Sequence, residues 1–137
     1  MILGVFALSA AAAFSACKKT ASDVTPGDTF NTVKSGNWKV TYFFDSGDET
    51  YKFSGYSFSF SDNGTVTATN GSSTVNGTWN TGTDDSATKL DLEFTGSGTF
   101  EELNDDWRVT ELSATKIVTD DVSGGNNETD YLTFEKI

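Results

Sequence analysis

The stretch Gly36–Asp45, GNWKVTYFFD, decides the fold. Trp38, Val40, Tyr42 and Phe44 fall on alternate positions, the two-residue period of a strand with one buried face. Lys39, Thr41 and Asp45 take the other side, with Phe43 as an apolar exception. The same period recurs downstream. Tyr56, Phe58 and Phe60 alternate with Ser57 and Ser59, and SDNG (Ser61–Gly64) supplies a hairpin turn because Asn-Gly tolerates positive φ. Val66 and Ala68 continue the pattern, TNGSS turns the chain again, and Val75, Gly77 and Trp79 form a fourth one-sided run.

Beyond Trp79, NTGTDDSAT (Asn80–Thr88) reads as a polar loop. Leu90, Leu92 and Phe94 then alternate with Asp91 and Glu93. A sixth strand starts at Trp107, with Val109 inward and Arg108 and Thr110 outward. A short seventh lies around Lys116–Thr119, and an eighth runs from Thr129 to Lys136 with Leu132 and Phe134 opposed to Tyr131, Thr133 and Glu135. Between strands five and six, Thr99 or Ser97 is positioned to cap one helical turn through Glu101 and Glu102, setting Phe100 and Leu103 over one end of the structure. Eight short strands with one apolar face each need a common interior, and no helical pattern is long enough to cover an open sheet. A closed antiparallel up-and-down β-barrel satisfies burial and removes the edges. An open two-sheet sandwich is the alternative.

The order of these segments carries a resemblance. Gly36-Asn37-Trp38 resembles the Gly-x-Trp opening of lipocalins, and GNWKVTYFFD, YSFSFSDNGTVTAT, VNGTWN, KLDLEF and the closing DYLTFEKI are together similar to small lipocalin-like lipoproteins of Bacteroidota. The resemblance covers residues 31–137 and implies an all-β, eight-stranded, lipocalin-like barrel whose lumen takes apolar or amphipathic molecules. The chain departs from lipocalins in the arginine that packs on their first tryptophan: Arg108, the only arginine, is the sole candidate, and its neighbour Trp107 takes the inward position. No cysteine pair and no C-terminal helix of the lipocalin kind accompany these motifs.

Residues 1–16, MILGVFALSAAAAFSA, are uncharged and apolar, too short for a permanent membrane span and suited to the core of an export signal. No basic residue precedes Lys18, which fits a start codon assigned too late. Phe14-Ser15-Ala16-Cys17 resembles a bacterial lipobox, which implies lipidation of Cys17 and attachment to a bacterial outer membrane. As the only cysteine, Cys17 forms no intrachain disulfide. Two or three acyl chains hold a protein on a bilayer where one gives marginal binding. Residues 17–30, polar and holding the only proline, read as a flexible tether, which leaves 31–137 as the barrel domain.

Charge and composition narrow the function. The net charge is −11 and every charged residue follows Cys17, which argues against nucleic acid as a partner. The chain has no histidine, so His-based proton transfer and His metal ligands are absent. Adjacent acids such as Asp105-Asp106 and Asp120-Asp121 point to opposite faces of a strand and read as solvated surface rather than as a glycosidase pair. The oxygen-rich loops Asp45–Glu49 and Asp120–Asp130 are weak calcium candidates without the EF-hand pattern. No enzymatic activity, cofactor or metal is expected. Trp38, Tyr42, Phe58, Phe60, Trp79, Leu92, Val109 and Phe134 are the expected lumen wall, open to a small hydrophobic ligand or interlocked as a solid core. With a solid core, the barrel serves as a protein-interaction or inhibitor module, and Phe43, Phe53 and Tyr131 are the aromatics set to face outward.

Overall fold

The computed structural model describes residues 18–96, 98–122 and 127–137. Within them the chain runs β1 (Lys19–Thr20), α1 (Pro26–Val33), β2 (Asn37–Phe44), β3 (Ser57–Phe60), β4 (Thr65–Thr69), β5 (Thr74–Asp84), β6 (Ala87–Phe94), β7 (Asp105–Leu112), β8 (Lys116–Val122) and β9 (Thr129–Lys136). Single 3₁₀ turns at Thr50–Phe53 and Thr99–Leu103 interrupt the loops before β3 and β7. From β2 to β9 each strand pairs antiparallel with the next, and β9 pairs back onto β2. The result is a closed eight-stranded up-and-down barrel, and the open sandwich is excluded by the β9–β2 ladder.

Turn chemistry sets the hairpins. Gly64 takes φ 87° and donates its N–H to Ser61 O, while Asn63 Oδ1 accepts from Thr65 N. Asn70 Oδ1 accepts from both Ser72 N and Ser73 N beside Gly71 at φ 91°. The expected loop Asn80–Thr88 is instead mostly strand. β5 and β6 pair from Gly77–Phe94 out to Asp84–Ala87 and turn on two residues, Asp85 and Ser86, both at positive φ. Such a pair fits the twist of a two-residue hairpin, and without glycine it carries little sequence signal.

Two bulges correct the inward–outward assignment. Val40 lies opposite Phe134 and Tyr42 opposite Thr133, so Thr41 is an extra residue in β2. Parity flips there. Phe43 is fully buried opposite Leu132, whereas Tyr42 is 38% exposed and does not join the lumen wall. Phe44, expected inward, faces out opposite Tyr131 and is half-buried. A second shift at Thr110 does the same between β7 and β8. Bulges add local twist and bend, which a small closed barrel needs.

The segment expected as a free tether is structured from Lys19 onward. β1 pairs Lys19 with Leu112 and Thr20 with Glu111, on the flank of β7 that β6 has left. Thr25 caps α1 by accepting from Asp28 N, Pro26 starts the helix without needing a donor, and Asp28 in the first turn bonds Lys19 at 2.6 Å. These are ordinary start signals, and they outweigh the reading of Pro26 as a linker residue. Val24 and Val33 join the barrel core, and Thr88 Oγ1 donates to Val24 O at 2.7 Å. Among the described residues no helix is long and apolar enough to cross a membrane.

Candidate functional site

The barrel axis is where a carrier would hold its cargo. Trp38, Phe58, Phe60, Trp79, Leu92, Val109 and Phe134 all point into it, each 4% exposed or less. Four of them form a chain of ring contacts. Phe134 sits edge-on to Phe58 at 5.2 Å and to Phe60 at 5.9 Å between ring centroids, and Phe60 meets Trp79 at 5.6 Å. Rings at such separations are in contact, with their quadrupoles favourably crossed.

Both ends are closed by the chain itself. At one end α1 lies across β5 and β6, with Phe30 stacked on Trp79 at 5.0 Å. At the other end the 3₁₀ turn Thr99–Leu103 brings Phe100 against Phe53, Tyr56, Phe58 and Phe94 at 4.9–6.0 Å. Phe53, expected outward, is 1% exposed because its own 3₁₀ turn folds it under this lid. Thr99 lies inside the turn, whose cap position is Gly98, and Ser97 lies outside the described residues.

The three tryptophans work as fasteners. Trp38 Nε1 donates to Val33 O at the end of α1, Trp79 Nε1 to Ser61 O in the β3–β4 turn, and Trp107 Nε1 to Leu103 O in the lid, all at 2.8–2.9 Å. Each indole is therefore satisfied by a backbone carbonyl at a closure point. The cation over the first tryptophan is Lys136, and Arg108 faces outward as its place in the strand predicts. Lys136 Nζ lies 5.7 Å from the Trp38 ring and donates to Ser35 Oγ. A Cβ on Gly36 would sit 2.6 Å from Lys136 Cε, so the glycine keeps that path open. Arg108 faces out and forks onto both carboxylate oxygens of Asp120 at 2.7 and 2.8 Å. Gly77 serves a different purpose, since a Cβ there would collide with the β6 backbone at Glu93 O and Phe94 Cα.

Polar chemistry concentrates on the rim. Asp105, Asp106 and Asp121 bring carboxylate oxygens within 4.8 Å of one another. Burial, with the charge of Asp121 nearby, pushes Asp105 up to about 6. Burial and the charge of Asp106 raise Asp91, and burial with the charges of Asp45, Asp121 and Glu128 raises Asp130. Antiparallel pairing sets the start of β7 beside the end of β8 and brings these acids together, a grouping that pairs of adjacent acids in the sequence do not disclose. In the calcium candidate Asp45–Glu49, Asp48 Oδ1 accepts from Thr50 N and Thr50 Oγ1. The second, Asp120–Asp130, lies partly outside the described residues, as does Cys17. A cavity of about 570 Å³ opens on the outer face of β5, β6 and β7 beside Asn80, Asp91 and Asp106.

No protein-family model matches the chain, and no curated protein matches it. Among solved structures, the crystal structure of a DUF4847 family protein from Bacteroides vulgatus ATCC 8482 is similar, with a TM-score of 0.51 and 17% identity over 77% of this chain and 94% of that one. At that identity the likeness is one of fold, and it agrees with a lipocalin-like barrel.

Proposed function

We propose that this chain is a non-enzymatic binding module of the bacterial cell envelope that engages its partner through its outer surface. The observation that carries this reading is the filled axis, with Phe58, Phe134, Phe60 and Trp79 in successive ring contact where a carrier would keep its cavity. An apolar ligand entering there would have to displace Phe100 or α1, each held by several aromatic or capping contacts. The lipobox-like Phe14–Cys17 supports attachment through an acylated Cys17. With β1 starting at Lys19, such an anchor holds the barrel close to the bilayer rather than on a long leash.

Native mass spectrometry of the protein isolated from its own envelope tests the reading. A solid module gives the mass of the acylated chain with no stoichiometric small molecule retained. A single co-purifying apolar compound at one per barrel restores the carrier. Incorporation of radiolabelled palmitate that disappears in Cys17→Ala is expected, and failure to label removes the anchor.

A further inference from the structure

The outer face of β2, β9 and β8 is unlike the rest of the surface. The pairing register sets its rows. Lys39, Glu135 and Lys116 form the first, Tyr42, Thr133 and Val118 the second, and Phe44, Tyr131 and Asp120 the third. Val122 lies beyond, opposite Thr129 and 61% exposed. Tyr42, Phe44 and Tyr131 form an outward aromatic triangle with centroids 6.2–6.4 Å apart. The middle of the face is apolar and its two ends carry opposite charge. At one end Lys39 and Lys116 flank Glu135, and they are the two of the nine cations whose side chains make no ion pair, hydrogen bond or ring contact among the described residues. At the other end stand Asp45, next to Phe44, and Glu128, which accepts from Ser46 Oγ, and burial together with the charges of Asp45, Asp121 and Glu128 raises the neighbouring Asp130.

We propose that this face is a two-fold interface with a second copy of the chain. The proposal deepens the outer-surface reading above by naming the partner. A two-fold axis through the aromatic middle lays Lys39 and Lys116 of one copy over the acidic end of the other, twice, with the Tyr42–Phe44–Tyr131 clusters packed between. A closed isologous contact needs that self-complementarity. A bare charge of −11 opposes self-association, and setting the two unused lysines against the acids offsets it where the copies touch. The face is at the small end of specific interfaces, on the order of 1,000 Å² in total. It therefore suits a reversible dimer favoured by confinement to a membrane.

Residues 18–137 contain every strand and helix among the described residues, so that fragment is used for sedimentation equilibrium. The wild type is expected to dimerise reversibly. Lys39→Glu/Lys116→Glu and Asp45→Lys/Glu128→Lys are each expected to weaken association more than tenfold. An equimolar mixture of the two is expected to regain association within about threefold of wild type, because both ends of the mixed dimer are again complementary. Circular dichroism confirms that both variants keep the barrel. A wild type monomeric at millimolar concentration overturns the proposal, as does a dimer indifferent to either variant. Binding to anionic lipid vesicles lost with Tyr42→Ser/Tyr131→Ser, without dimerisation, shows that the face docks a bilayer and overturns it equally. None of these outcomes alters the mass-spectrometric test of the filled axis, so the two readings fail separately.

Discussion

At the scale of single residues, parity is the sharpest issue. Alternation from Trp38 puts Tyr42 inside and Phe43 outside, and the bulge at Thr41 reverses both. Phe43→Ala is expected to cost about 3–5 kcal/mol, whereas Tyr42→Ala stays within about 1 kcal/mol. Urea denaturation of the two variants measures the contrast. Thr41 itself buries a hydroxyl with no hydrogen-bond partner among the described residues. Thr41→Val removes that cost at nearly constant volume and is expected to leave stability unchanged or raise it by up to about 2 kcal/mol. Gly77→Ala is expected to destabilise by more than about 2 kcal/mol, because the added carbon meets strand backbone that cannot step aside alone. Most lumen residues were legible because their neighbours alternate strictly. Tyr42 and Phe44 were not, because a bulge leaves the composition of a strand unchanged and alters only its register.

Among the elements, the hairpin turns with Asn-Gly were legible, whereas the Asp85-Ser86 turn was hidden by polar, strand-compatible residues on both sides. The N-terminal helix was missed for another reason. Its start signals, Thr25, Pro26 and Asp28, are clear, but eight residues give little periodicity and its buried face is small. It nonetheless closes one barrel end, through Val33, Phe30 and the Trp38–Val33 bond. Thr25→Ala is expected to cost about 1 kcal/mol through loss of the cap. Val33→Asp is expected to cost several times more, since it buries an unpaired charge. Thermal unfolding of both variants checks that order. The lid Thr99–Leu103 was legible from Phe100 and Leu103, since two apolar residues in an acidic loop have few other places to go.

For the whole molecule, the rim acids set the dependence on pH. Asp105 has a pKa of about 6 in the fold, above the ordinary 3.8 of an aspartate, so the native state holds its proton more tightly than the unfolded chain. The associated stability is complete below about pH 4 and is lost as pH rises through 6; the raised values of Asp91 and Asp130 act in the same sense. The lowered Asp48, held by Thr50, works against this only in more acidic solution. The melting temperature is therefore expected to be higher at pH 5 than at pH 7.5, and Asp105→Asn should flatten that difference. The clustering of these acids could not be read from spacing, because it depends on which strands lie side by side in the barrel.

The proposed solid core rests on an aromatic interior with α1 and Phe100 at its two ends. Titration of residues 18–137 with 1-anilinonaphthalene-8-sulfonate, followed by tryptophan emission, probes that directly. Trp38 and Trp107 are at most 1% exposed, so a solid barrel predicts blue-shifted emission, no saturable probe binding and no quenching. Stoichiometric, saturable binding that quenches the tryptophans would contradict it.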